Sequence, residues 1–485
     1  MASLDLRALS CGAVAFAGPA LLMAGAGGFE PPAWGWAGLA AAWIATLAVV
    51  LWRGGPRGRL EQLFAGLFVL SGLWALLSSV WSLSPPSSIL EAQRLLVVTA
   101  GVLAALSACR SADAPLLRLG LLGAISATCV ANLVHRAGGY EATTGAEAEP
   151  VGYANGLAIL AALGILLALE LGRTNRIALF TLPVTGAVLV LAESTGAWFA
   201  LVIGFAVAAI VAAGRTRVAG AAVLVAGLAA AALSFEGHQR ELYWGVAWGA
   251  VEERPLLGAG AGTFAQLWVL ERDTDASARD AHSLYLETLA EQGPLGLGLL
   301  VAALGVPLVA ARRRPRPLLL GAYAAFLAHV GIDWDWELTA IALAGVLLGA
   351  SFVLESREEG ARVRARPLWA GVALVLVVAS AVTLAGALSL ERARDSLREG
   401  RTEDARERAR QATRLAPWST DAALVEAEAR LALGDGPGAR ATAREALELD
   451  AREWRLWALL ARASDGAERE RALARARSLN PLGGL

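Results

Sequence analysis

Four histidines occur in this 485-residue chain, and His282 is the one whose neighbours suit proton transfer. It stands in the segment Ala281-His282-Ser283-Leu284-Tyr285-Leu286-Glu287-Thr288-Leu289-Ala290-Glu291-Gln292-Gly293. Read as a helix, this segment puts His282, Leu286, Leu289 and Gly293 along one stripe. Asp280 is a good N-cap, which places His282 in the first helical turn. There the positive end of the helix dipole disfavours imidazolium, so the ring stays neutral and able to accept a proton.

The polar stretch before it, 236–283, carries His238, Arg240, Trp244, Trp248, Glu252, Arg254, Trp268, Arg272 and Arg279. Its centre, Pro255-Leu256-Leu257-Gly258-Ala259-Gly260-Ala261-Gly262-Thr263-Phe264, is rich enough in glycine for backbone to approach a ligand closely. Neither a dinucleotide fingerprint nor a P-loop fits, because there is no parallel-sheet pattern and the chain has no lysine. Arginines interleaved with tryptophans suit an anion attached to a sugar, through forked hydrogen bonds and stacking. The same residues also suit a helix facing lipid headgroups, so Arg240 is open to either role. A second cluster follows His329: Gly331-Ile332-Asp333-Trp334-Asp335-Trp336-Glu337. Carboxylates at the edge of an apolar run either reach water or act on something, and His329 stands four residues before Asp333, a spacing at which helical side chains meet. Two more polar turns matter: Glu91 with Arg94, and Gly152-Tyr153-Ala154-Asn155-Gly156 entering an apolar run. Asn155 there needs a hydrogen-bonding partner, whether a ligand or a neighbouring helix.

The elements that position these groups are membrane spans. The chain is 56% hydrophobic and only 18% charged, with mean hydropathy +0.54. A soluble chain would carry about a quarter charged residues. Apolar runs of about twenty residues match the roughly 30 Å of a bilayer core. About thirteen spans are expected, near 9–28, 33–52, 62–80, 93–109, 116–135, 152–171, 177–193, 195–213, 218–235, 284–311, 318–332, 338–355 and 367–390. The first run reads as a span rather than a signal peptide, given the spans that follow. Arginines concentrate in alternate loops: Arg53, Arg57 and Arg59; Arg110 and Arg118; Arg173 and Arg176; Arg215 and Arg217; Arg312, Arg313, Arg314 and Arg316; Arg357, Arg362, Arg364 and Arg366. The remaining loops are acidic or poor in arginine, as at Glu141, Glu147 and Glu149. The positive-inside rule then puts the N-terminus in the cytoplasm, with 236–283 and everything after 390 outside. Cys11, Cys109 and Cys129 show no metal-ligand spacing and no even count, and read as small core residues.

Residues 391–485 form a separate unit rich in Ala, Arg, Glu and Leu. Gly400, Ala405, Ala409, Ala412 and Leu415 recur 34 residues later as Gly434, Ala439, Ala443, Ala446 and Leu449. This period resembles the tetratricopeptide repeat, although an ordinary bundle of helical hairpins accommodates it too. The expected architecture is all-α: a transmembrane bundle over 1–390 with a large extracytoplasmic loop at 236–283, then an extracytoplasmic helical-repeat domain.

Over about 75–355 the order of motifs resembles the O-antigen ligase and O-antigen polymerase superfamily of bacterial envelope proteins. Those motifs are Trp81-Ser82 with Glu91 and Arg94, Gly152-Tyr153-Ala154-Asn155, Ser194-Thr195-Gly196-Ala197-Trp198, Arg240 with Trp244, Pro255-Leu256-Leu257-Gly258-Ala259-Gly260, and His282 to Gly293 followed by Gly296-Leu297. The resemblance implies a GT-C-type membrane glycosyltransferase that needs no metal or other cofactor. Such an enzyme works at the outer face of the bacterial cytoplasmic membrane, moving a glycan from an undecaprenyl diphosphate carrier to a lipid or glycan acceptor hydroxyl. His282 matches the base and Arg240 the arginine that holds the diphosphate. Arg94, Glu91, Tyr153, Asn155, Arg254, Arg279, Asp333 and Trp334 are the remaining candidates for substrate contact. Many members have Ser-Arg-Gly where this chain has Ser194-Thr195-Gly196, so another arginine (Arg254, Arg279 or Arg94) takes that role, the donor differs, or the chain is not catalytic. Besides the glycan donor and acceptor, membrane lipids and a protein bound at the repeat tail are the expected partners, with no nucleic acid. Rival readings are a polymerase of the same superfamily, a transporter, and a scaffold that recruits proteins through its tail.

Overall fold

The structure is a computed structural model that describes residues 6–138, 149–214, 238–358, 360, 362–363 and 365–483. Glu141, Glu147, Arg215, Arg217, Arg364 and the expected span 218–235 lie outside the described residues, as does the side chain of His238. Every regular element among the described residues is helical. The bundle comprises α1 (Leu6–Ala24), α2 (Pro31–Leu51), α3 (Arg59–Ser78), α4 (Pro85–Ala108), α5 (Ala114–Ala137), α6 (Ala154–Gly172), α7 (Leu182–Leu191) and α8 (Thr195–Ala212). Then come α9 (His238–Glu253), α10 (Phe264–Glu271), α11 (Leu284–Ala311), α12 (Pro317–His329), α13 (Thr339–Glu355) and α14 (Arg366–Arg398). The tail consists of α15 (Thr402–Leu415), α16 (Thr420–Ala432), α17 (Gly436–Leu449), α18 (Trp454–Ala463) and α19 (Gly466–Leu479).

Among the described residues, eight helices are long and apolar enough to cross a membrane, and there are four shorter apolar helices. This is a multi-pass membrane protein. Each expected span other than 218–235 coincides with one of these apolar helices. Their starts follow ordinary local rules. Pro85 and Pro86 open α4, where a missing N–H costs nothing, and Ser194 and Ser283 cap α8 and α11 through their side-chain oxygens.

At one end of the bundle the arginine-bearing turns are stapled by buried ion pairs. Arg357 donates from Nε and Nη2 to the two Glu61 oxygens at 2.7 and 2.8 Å. Arg118 reaches Glu355 at 2.6 Å, and Arg316 bridges Glu355 and Glu170. The Glu61 and Arg357 side chains are 1% and 6% exposed, so deleting one partner strands a buried charge. Glu61→Ala is expected to destabilise the bundle by about 3–5 kcal/mol. Thermal unfolding of the detergent-purified chain checks this, and an unchanged midpoint would contradict it. Two of the cysteines depart from their expected role. Cys11 and Cys109 are paired as a disulfide, while Cys129 is a buried free thiol. They are 98 residues apart in sequence, and it is the packing of α1 against the end of α4 that joins them.

The stretch expected as a large polar loop is a small helical layer with its own core. Tyr243, Val246, Ala247 and Ala250 of α9 pack on Phe264, Leu267 and Trp268 of α10 and on Leu83. Helix α11 is broken at Gly293, whose φ of 67° and ψ of −174° are open in practice only to glycine. Into that break docks the glycine-rich run: Ala259 N donates to Ala290 O at 2.9 Å and Gly260 N to Glu291 O at 2.7 Å. A Cβ on Gly258 would lie 2.3 Å from the Glu291 carbonyl carbon, and one on Gly260 2.1 Å from Ser82 Oγ. Glu291 accepts from the N–H groups of Gly262 and Phe264. The glycines therefore serve close approach of the chain to itself, which corrects the expectation that they admit a ligand.

Helix α14 runs unbroken past residue 390 into the tail, where Leu390, Ala393 and Leu397 pack with Ala409 and Val425. In the tail the equivalent pairs Ala405/Ala439, Ala409/Ala443 and Ala412/Ala446 are all buried, and Gly400 and Gly434 both take positive φ at matching turns. The tail rests on the bundle end opposite the arginine staples: Ser84 donates to Asp450 at 2.6 Å and Arg272 to Asn480 at 3.0 Å.

Candidate functional site

His282 is not in the first turn of α11. Ser283 is the N-cap, its Oγ accepting from Leu286 N, and His282 precedes it with φ +55°. Serine caps as well as aspartate does, so the helix starts later than expected and Asp280 is released to other work. The left-handed residue turns the His282 ring away from the helix stripe and onto Tyr243, stacked at 4.7 Å. Trp334 lies on another side, 6.4 Å away. The Asp280 carbonyl, 3.2 Å from Nδ1, accepts that proton and leaves the Nε2 lone pair as the basic position. Burial lowers the affinity of the ring for a second proton. The Asp333 charge and the Asp280 hydrogen bond oppose this, while Arg240 reinforces it, and the balance stays below the ordinary histidine value. Burial thus favours the neutral imidazole, in place of the helix dipole that the sequence suggested.

Beside it, Asp333 gathers four donors, two of them from the single turn at 153–155. Its carboxylate accepts from Tyr153 Oη at 2.6 Å, Asn155 Nδ2 at 2.8 Å, the Trp334 amide at 2.8 Å and Arg240 Nη2 at 3.4 Å. Asn155 also donates to Tyr153 Oη, and the Tyr153 ring packs on Trp334 at 4.5 Å. Burial and the adjacent Asp333 raise the Tyr153 phenol, which keeps its proton and remains a donor. Asp333 therefore fixes Arg240, whose side chain is 25% exposed and able to meet a ligand. His329 forms its hydrogen bond with Asp335 rather than with Asp333, the partner its spacing implies. Helix α12 ends there, and the turn that follows brings Asp335 back instead, with Oδ2 2.7 Å from His329 Nδ1.

His282, Arg240, Tyr153, Asn155, Asp333 and Trp334 are thus brought together. Residues 177–301 match the O-antigen ligase family. The matched stretch is roughly a quarter of the chain and holds Arg240, His282 and the glycine run, whereas Tyr153, Asn155, Asp333 and Trp334 come to the same place from outside it. No curated protein matches the chain. The O-antigen ligase match, together with the apolar helices, supports a membrane function of the O-antigen ligase or polymerase type.

The other candidates lie elsewhere. Arg94 and Glu91 face a second feature, a cavity of 840 Å³ between the bundle and the tail. Arg94 is buried, donates to both Glu91 oxygens, to Glu337 and to the Trp336 carbonyl, and so is committed to the protein's own groups. Arg279 lines the same cavity and lies over the Phe29 ring at 4.5 Å, a cation–π contact. Arg254 is in neither place: its guanidinium donates to the Trp81 carbonyl at 3.5 Å. Thr195 is exposed at the first position of α8.

The cavity wall also holds acids that the sequence does not bring together. Asp280, Glu287 and Glu337 bring carboxylate oxygens within 4.8 Å of one another, a spacing at which three carboxylates could share a cation. Burial pushes the Asp280 carboxyl up to about 7, against the pull of Arg279 and Arg94, and Glu91 adds to the rise. Glu337 is raised as well, by burial first, despite Arg94. Such carboxyls can both donate to and accept from sugar hydroxyls. The sequence signal for Glu287 is a carboxylate within an apolar helix. The cavity passes the Asp280 and Leu284 side of the segment, and His282 faces the other way, toward Tyr243 and Trp334.

One consequence can be measured through pH. The Asp333 charge raises the His282 proton affinity, so Asp333→Asn should lower it further. The acid limb of the rate profile, where the base is lost to protonation, is expected to move to lower pH. A limb that stays in place would separate it from His282.

Proposed function

We propose that this chain is a membrane glycosyltransferase of the ligase type. It moves a glycan from an undecaprenyl diphosphate carrier to an acceptor hydroxyl at the outer face of a bacterial cytoplasmic membrane. The observation that carries the reading is the juxtaposition of a neutral, stacked His282 with a partly exposed Arg240 anchored by Asp333. His282 Nε2 takes the proton of the acceptor hydroxyl as its oxygen bonds to the anomeric carbon. The bond from that carbon to the phosphate oxygen breaks, and the electron pair leaves with the lipid diphosphate. Arg240 meets the charge that develops there, a role that does not require a metal. Arginine-bearing turns at the stapled end give that end a cytoplasmic orientation, which puts the N-terminus inside and the site and the tail outside. The tail, read as tetratricopeptide-like, suits a protein partner.

The test is transfer in vitro from a purified lipid-diphosphate glycan. Arg240→Ala is expected to raise the donor concentration needed for half saturation by at least about tenfold; unchanged saturation would remove Arg240 from the donor site. Activity is expected to persist in EDTA, whereas a loss restored by Mg²⁺ would reassign Asp280, Glu287 and Glu337 as metal ligands. Products of growing chain length without attachment to the acceptor would favour the polymerase reading.

A further inference from the structure

The cavity between bundle and tail lies apart from the groups gathered around His282, and its wall holds hydrogen-bonding groups that the protein itself does not use. That wall is drawn from α4, from α14 with α2, from α11 with α3, and from the tail. Gln292 precedes the break in α11, and its carbonyl accepts from Trp74 Nε1 at 3.0 Å. Gln292 is 8% exposed, Thr383 of α14 is 7% exposed, and both line the cavity. Neither the Gln292 side-chain amide nor the Thr383 hydroxyl has a hydrogen-bond partner among the described residues. Gln266 of α10 adds a third group: its Nε2 donates to Ser87 Oγ at 3.1 Å, and its buried Oε1 has no partner. Polar groups buried in this way are costly unless something meets them, and all three are uncharged. The charges on the wall disfavour an anion. Carboxyl groups outnumber guanidinium groups there. Towards the tail Arg394 is paired with Asp421, Arg455 with Asp421 and Glu453, and Arg398 with Asp395. Arg94 is committed to Glu91 and Glu337, and Arg279 stands beside Asp280. An anion entering this space therefore meets negative potential with little free positive charge to offset it. Trp418, in the turn between α15 and α16, lines the cavity with part of its indole exposed.

We propose that this cavity is a carbohydrate-binding site shared between bundle and tail, and that its ligand is an uncharged sugar chain. Trp418 is the stacking platform, and Gln292, Thr383 and Gln266 are the hydrogen-bonding groups. The choice of a sugar rests on the glycosyltransferase reading above. Sugar hydroxyls both donate and accept, so one ligand can meet an amide, a hydroxyl and a lone amide oxygen together. The indole offers a flat apolar face on which the C–H side of a pyranose ring can rest. The 840 Å³ of space is within the range of sites that enclose a ligand of a few rings. Asp280 faces this cavity, and His282, two residues on, faces the other way, so a chain held here lies across one turn of backbone from the base. The site thus holds sugar away from the reacting atoms, and its residues position and select rather than catalyse. The tail, by supplying Trp418, takes part in choosing the sugar.

The experiment is calorimetric titration of the full chain in detergent with three uncharged probes, maltohexaose, mannohexaose and N-acetylchitohexaose, and with hexagalacturonate as the anionic control. At least one uncharged probe should bind, and hexagalacturonate should bind at least about tenfold more weakly. Trp418→Ala should weaken binding of the uncharged probe about tenfold, and Trp418→Phe should recover part of it. Gln292→Met and Thr383→Val keep the volume and remove the hydrogen-bonding group. Each should weaken binding about fivefold while the unfolding midpoint stays at or above that of the wild type, since no partner within the protein is lost. Trp418 is partly exposed, so its variants test the site even if the buried ones fail to fold. No binding of any uncharged probe, tighter binding of hexagalacturonate, or wild-type affinity in both Trp418→Ala and Gln292→Met would overturn the site. Transfer of glycan by a chain that binds none of the probes would leave the glycosyltransferase reading standing without it. Binding by a chain that transfers no glycan would keep the site and remove that reading.

Discussion

His282→Asn is expected to reduce glycan transfer by roughly 10²–10⁴-fold, the usual contribution of a positioned general base. Asparagine is the informative replacement because position 282 is left-handed, with φ +55°, and asparagine adopts that conformation more readily than most residues. The turn into α11 and its Ser283 cap should therefore survive, and with them the docking of α9 against α11. What disappears is the Nε2 lone pair and most of the stacking surface on Tyr243. If the variant inserts, unfolds at the wild-type temperature and still transfers at the wild-type rate, His282 is not the base. If the rate falls as expected, the residual activity should lose the acid limb of its pH profile, because the group that titrates there is gone. A loss of transfer that preserves the limb would instead assign the limb to another group, with Asp280, whose carboxyl is pushed up to about 7, the first to examine.

The apolar helices were legible because membrane spans announce themselves by composition alone. A run of twenty apolar residues has few alternatives, and its backbone must close its hydrogen bonds internally. Half of the site was legible for a related reason. Asn155 and Asp333 are polar groups beside apolar runs, where polarity is expensive, so each demanded a partner; they partner one another, joined by Tyr153 and Arg240. What escaped was everything decided by a change of backbone direction. The sequence around His282 suggests a helix capped by Asp280, whereas its start is set by Ser283, three residues further on. His329 was paired with Asp333 by helical spacing, but the helix stops at that histidine and the chain doubles back to Asp335. The disulfide between Cys11 and Cys109 depends on which helices are neighbours, which periodicity does not encode. Glycine was misread most plainly: its abundance at 258–262 signalled close approach, and the partner in that approach is the protein's own α11.

That last misreading leads to the largest structural effect expected of a single methyl group. Gly293→Ala should destabilise the protein and abolish transfer together. A Cβ at this position would stand 2.2 Å from the Leu256 carbonyl oxygen and 2.8 Å from its carbonyl carbon, both of them backbone atoms with no rotamer to adjust. The residue also sits in a region of φ and ψ that costs a non-glycine residue about 1–3 kcal/mol before any clash is counted. Relief requires either that α11 close its break or that the 255–263 run withdraw. Closing the break would take up the Ala290 and Glu291 carbonyls that now accept from Ala259 and Gly260. Withdrawal would release the Glu291 carboxylate from the Gly262 and Phe264 amides and loosen the start of α10. Either route disturbs the support on which Tyr243 stacks against His282, since Tyr243 packs edge-on to Trp268 of α10 at 4.8 Å. Limited proteolysis within 255–263, read beside thermal unfolding, checks the prediction. A Gly293→Ala protein with wild-type resistance, melting and activity would show that the loop does not dock in the break.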